Sequence, residues 1–161
     1  MAGRRLFAVG FFAASLAWAA ALVVVPYAVA HDADAALTAP VAAAAYFSGQ
    51  FICHQLPARS FHPWGVKMPV CARCFGLYAS APLGAGLSLA LAFGLADPRR
   101  QASARGVRLL LAASALPTAA IVAVEWMGLA APSSLTRFTA ALPLGAAIAF
   151  VAASAIREEI R

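Results

Sequence analysis

A chain of 161 residues that is 63% hydrophobic and 11% charged, with a mean hydropathy of +0.83, departs from soluble domains, where about a quarter of residues are charged. The composition reads as an integral membrane protein, and at roughly 20 apolar residues per span it holds four crossings and no large soluble catalytic domain. The formal charge of +6 and pI near 10.1 would suggest nucleic acid in a soluble protein; here the 12 Lys and Arg act as orientation signals, and no nucleic-acid partner is expected.

The first predicted span covers about 6–30, preceded by Arg4 and Arg5 and ended by His31, Asp32 and Asp34. A secretory signal would explain Arg4-Arg5 and the small residues Ala28-Val29-Ala30, but its apolar core is roughly 7–15 residues, so a retained span is expected. Residues 31–71 form the outer loop. Within it 36–52 is apolar but interrupted by Pro40, Gly49 and Gln50, and reads as a short amphipathic or re-entrant helix around 41–52. Further spans are predicted at about 72–96, 107–129 and 135–156.

Positive charge sets the topology. With four spans, Arg4, Arg5, Arg99, Arg100, Arg105, Arg108, Arg157 and Arg161 share one side, and Arg59, Lys67, Arg73 and Arg137 the other. Basic residues favour the cytoplasm, so both termini are expected there, in a multi-pass protein of the cell's inner membrane. A fifth crossing at 36–52 would divide the charges equally and remove this bias. The expected fold is all-α: one transmembrane domain over 1–161, four helices in a small bundle with a Cys/His-rich extracytoplasmic loop. In the second span Ala81, Gly84, Ala85 and Ser88 recur at helical spacing, a smooth strip that another membrane helix can approach closely. Pro82, Pro117 and Pro143 mark expected kinks.

The chemistry-bearing residues cluster between Cys53 and Tyr78, which hold all three cysteines and two of the three histidines. The runs Cys53-His54-Gln55, Arg59-Ser60-Phe61, Pro69-Val70-Cys71-Ala72-Arg73-Cys74 and Gly76-Leu77-Tyr78 resemble the membrane protein family catalogued as domain of unknown function 2085, with Phe75 where Thr is common. Glu125-Trp126 and Pro132-Ser133-Ser134 with Arg137 resemble its second block, although Ala140 or Ala141 stands where Gly is expected for a close helix contact. The resemblance covers about 45–148. It implies several spans and a shared polar site, and no particular activity.

Three readings of the cysteines stay open. Cys71-x-x-Cys74 lets two thiolates reach one ion, and Cys53 with His54, or His62 as substitute, completes the four-coordination zinc prefers; copper(I) suits the same soft donors. Alternatively, Cys71 and Cys74 at a helix start beside Arg73 are a redox dithiol, in the manner of quinone-linked membrane thiol-disulfide oxidoreductases, although those use two cysteine pairs. Thirdly, a disulfide from Cys53 to Cys71 or Cys74 would clip the loop to the second span. A non-catalytic accessory subunit of a membrane complex is a further class.

Glu125 and Arg137 lie near the outer ends of the third and fourth spans, and ionisable groups at membrane depth mark functional sites. With Arg59 and Arg73 they are expected to form a polar layer under the Cys/His loop, supported by the motif residues Gln55 and Tyr78. His31 reads as a solvated helix end, and Phe61, Trp64 and Tyr78 as interfacial anchors. No phosphate loop, Ser/His/Asp set or catalytic carboxylate pair is present.

Overall fold

The computed structural model describes residues 2–31, 35–91 and 103–158, all helical or irregular, with no strand among them. Asp32, Asp34, residues 92–96 of the second predicted span, Arg99, Arg100 and Arg161 lie outside the described residues. Five helices follow in order: α1 (Ala2–Ala30), α2 (Ala35–Ile52), α3 (Ala72–Ala90), α4 (Ala104–Trp126) and α5 (Ser134–Glu158). Two 3-10 turns, Pro57–Arg59 and Pro63–Gly65, punctuate the loop between α2 and α3.

Among the described residues, three helices are long and apolar enough to cross a bilayer: Arg5–Ala30, Ala104–Trp126 and Ser134–Ile156. The second predicted span is not among them over the 19 residues of α3. Its first turn carries Arg73, and the apolar continuation falls outside the described residues. The loop helix is longer than the 41–52 segment expected. Alanine has the highest helix propensity, and the Ala-rich stretch carries α2 from Ala35 through Pro40.

Helix ends follow local chemistry. Ser103 caps α4 by accepting the Gly106 N–H at 3.0 Å, and Ser133 accepts the Thr136 N–H at 3.1 Å at the start of α5. Gly128, at φ +68°, turns the chain out of α4 in the left-handed conformation that glycine takes without strain.

The core is the seam between α3 and α5. Gly76, Ser80, Gly84, Ala85 and Ser88 recur every three or four residues and are all buried. A Cβ added at Gly84 would lie 1.9 Å from the Ala146 carbonyl oxygen, and one at Gly145 2.3 Å from that of Leu77, so backbone meets backbone from both sides. Ala85, Ala149 and Ala153 form the buried cluster below, and Ser88 and Ser154 share a hydrogen bond at 3.0 Å. The predicted small-residue strip is thus covered by the chain's own α5 rather than left for a partner helix.

The close contact survives the alanine at 140 or 141. Gly76 supplies the missing space from the opposite helix, its absent Cβ leaving room 2.4 Å from the Phe138 carbonyl oxygen and 3.0 Å from the Ala141 methyl. Thr118 ties α4 to α5 by donating to the Ala140 carbonyl at 2.8 Å. Without a hydrophobic drive between helices in lipid, such small-residue packing and interhelical hydrogen bonds are the main source of association.

Replacing Gly84 with Leu is expected to destabilise the chain by about 1–3 kcal/mol or more through overpacking. Gly10→Ala, with nothing within 4 Å of the added carbon and a gain in helix propensity, is the control expected to lose no stability. Denaturant melts of both variants in detergent check the contrast, and equal stabilities would refute the seam.

Candidate metal centre

Cys53 follows α2, Cys71 is the residue on which α3 begins, and Cys74 lies one turn into that helix. Their sulfurs all lie within 4.8 Å of one another, and all three are free thiols. Cys53 is buried and the other two are half-buried. Sulfurs bound to one ion at about 2.3 Å would sit roughly 4 Å apart, so the cluster is close to a three-thiolate ligand set.

The loop is built to hold the Cys53 sulfur in place. It accepts the Cys71 N–H at 3.1 Å and the Gln55 N–H at 3.4 Å. Gln55 adopts φ +49°, uncommon for a residue with a side chain, and its amide fixes the turn by donating to the carbonyls of Tyr46 at 2.8 Å and Pro69 at 2.6 Å. Lys67 Nζ donates to the Gln55 carbonyl at 3.2 Å, and the Tyr46 hydroxyl donates to the Lys67 carbonyl. Gly49 completes the lock: a Cβ there would lie 2.4 Å from the Pro69 carbonyl oxygen and 2.7 Å from Gln55 Nε2.

Around the sulfurs the surface is apolar. Cys53, Leu22, Met68 and Val70 form a buried cluster against which Trp18, Phe61, Phe75 and Tyr78 pack, with Trp18 edge-on to Tyr78 at 6.1 Å. A cavity of about 510 Å³ adjoins it, walled by Phe61, Trp64, Met68, Phe75 and Phe138.

The Cys71 thiol is pulled down to about 5, chiefly by its hydrogen bond with the Cys74 thiol, against the opposing effect of burial. The backbone N–H groups at the helix start and the Cys53 side chain add to the lowering. This lowering favours the thiolate form of Cys71.

A second constellation stands beside the first. Glu125, in the last turn of α4, receives three arginines from three other parts of the chain. Its Oε1 accepts from Arg137 at 3.1 Å and pairs with the Arg59 guanidinium at 2.8 Å, and its Oε2 accepts from Arg73 at 3.3 Å. Arg59 ends the first loop turn, Arg73 lies between the two cysteines of α3, and Arg137 is in the first turn of α5.

The structure therefore gathers Cys53, Cys71 and Cys74 in one group and Arg59, Arg73, Glu125 and Arg137 in another. It does not bring every sequence candidate to them. His54 and His62 are exposed and neither belongs to the sulfur group; His62 lies on the rim of the cavity. Gln55 and Tyr78 stand apart from the Glu125 layer, Gln55 locking the loop and Tyr78 packing against the cysteines. Trp18 and Leu22 on α1 and Tyr46 on α2 went unrecognised, because they lie in plain apolar runs with no motif to single them out.

These features define a helical membrane protein with a clustered three-cysteine site. Residues 53–151 match the family described as predicted membrane protein of domain of unknown function 2085, and the chain belongs to that family. An uncharacterized protein of Methanocaldococcus jannaschii is 61% identical over 33 residues, covering 20% of this chain and 21% of that protein. An uncharacterized protein of Methanothermobacter thermautotrophicus is 34% identical over 100 residues, covering 62% of this chain and 83% of its own length. No solved structure matches.

In chelator-treated protein, iodoacetamide modification of Cys71 should run at a nearly constant rate from pH 6 to pH 8 and fall off below about pH 5. An ordinary thiol would speed up about tenfold per pH unit over that range. Peptide mass spectrometry across the series checks this, and a tenfold-per-unit rise at Cys71 would refute the assignment.

Proposed function

We propose that this protein holds a soft transition-metal ion, zinc or copper(I), on the extracytoplasmic face of the inner membrane, with Cys53, Cys71 and Cys74 as thiolate ligands. The proposal includes four crossings, α1, α3, α4 and α5, with both termini cytoplasmic and α2 in the outer loop. The charge distribution supports that orientation. The observation that carries the metal reading is the convergence of three free sulfurs within 4.8 Å, one of them accepting two backbone N–H groups. N–H donors directed at a sulfur stabilise the anionic form that binds metal, and they keep the ligand in position before an ion arrives.

Three thiolates in an apolar setting suit copper(I), which accepts soft sulfur donors, and equally a zinc site with one open position. His54, next to Cys53 in the chain, is the candidate for the fourth ligand, and His62 its substitute. A second reading, a membrane thiol-disulfide oxidoreductase using Cys71 and Cys74, is favoured by the low-lying Cys71 thiol. It requires an accessible dithiol whose oxidation responds to quinone.

Elemental analysis with thiol counting on one anaerobic preparation separates the two. The metal reading expects about one ion per chain, lost in the Cys71→Ser/Cys74→Ser double variant with helix content unchanged, and retained at reduced affinity in His54→Ala. A metal-free wild type, or metal unaltered in the double variant, overturns it. A metal-free protein with a quinone-oxidisable Cys71–Cys74 pair is the outcome the oxidoreductase reading expects.

A further inference from the structure

The arginine cluster on Glu125 is short of negative charge. Arg59, Arg73 and Arg137 surround a single carboxylate, leaving two positive charges in excess, and the Arg137 and Arg73 side chains are only 9% and 25% exposed. Excess charge held away from water is strongly unfavourable unless a counter-charge is present. A second observation locates the deficit. The Nε atoms of Arg73 and Arg137 are buried and have no hydrogen-bond partner. Both arginines reach Glu125 through Nη2, so the Nε–Nη2 fork by which a guanidinium grips an oxyanion with two parallel bonds is half used in each.

We infer that Arg59, Arg73 and Arg137 together bind a phosphate-type oxyanion beside Glu125. Arg59, 43% exposed, opens the cluster to the surface and is the entry contact, while Arg73 and Arg137 supply the buried donors. The same chemistry has two sources, the phosphate of an anionic phospholipid headgroup and free inorganic phosphate. The first has a structural correlate: Trp126, Leu129 and Leu135, flanking Glu125 and Arg137 in the chain, are 85%, 72% and 62% exposed, an apolar surround suited to lipid. The site involves none of the sulfur ligands and stands whether or not a metal binds at the cysteines.

The test uses the full-length chain purified in neutral detergent. Thermal melts are recorded against inorganic phosphate, with chloride at matched ionic strength as the control, and against added phosphatidylglycerol; native mass spectrometry records retained lipid. Stabilisation by phosphate above the chloride control identifies a free oxyanion, and stabilisation by phosphatidylglycerol with retained lipid identifies a headgroup. In either case Arg59→Gln should weaken the apparent affinity about tenfold, one charge-assisted contact being lost. Should Arg59→Gln fail to fold, Arg59→Lys keeps the charge without the fork and should show a smaller loss. Glu125→Gln, stripped of the single carboxylate, should be less stable alone and gain more from the oxyanion than the wild type gains. A wild type that responds to neither probe beyond chloride, or an Arg59 variant that folds and responds as the wild type does, overturns the inference.

Discussion

Glu125 is where the separate parts of this molecule are tied. It sits on α4, and the three guanidinium groups it holds come from the loop, from α3 and from α5. A carboxylate that pairs with guanidinium groups from three elements constrains the relative positions of all of them. Arg73 occupies the position between Cys71 and Cys74, so the contact that anchors α3 to α4 also sets the start of the helix on which two sulfurs sit. The ion-pair hub and the thiol cluster are thereby two faces of one helix end.

The second support is mechanical. Glycines on both α3 and α5 let the two backbones touch, and this seam is the rigid wall from which the first turn of α3 projects. Beside it the loop is held to α2 and to itself by hydrogen bonds from Gln55 and Lys67 rather than by covalent links. Cys53 is thus presented to Cys71 and Cys74 by a polar lock on one side and by the apolar packing of Leu22, Met68 and Val70 on the other.

What could be read from the amino-acid sequence followed the strength of its local signals. Long uncharged stretches gave three of the helices long enough to cross, and the spacing of Gly84, Ala85 and Ser88 gave the face that meets α5, because both depend on periodicity within one helix. Arg59, Arg73, Glu125 and Arg137 could be singled out because charge at membrane depth is rare. The lock built on Tyr46, Gly49, Gln55 and Lys67 was not legible, since it joins residues up to 21 positions apart through backbone carbonyls that any residue could supply. His54 adjoins Cys53 in the chain, yet the imidazole is exposed while the thiol is buried, a contrast that adjacency alone does not reveal.

The α3–α5 seam has a consequence for permeation. Where Gly84 meets the Ala146 carbonyl and Gly145 meets that of Leu77, there is no room even for a methyl carbon, so neither a water file nor an ion can run between these helices. The seam is closed along this path. Any ion or solute that reaches the sulfur and arginine groups must therefore come by a route other than the α3–α5 contact.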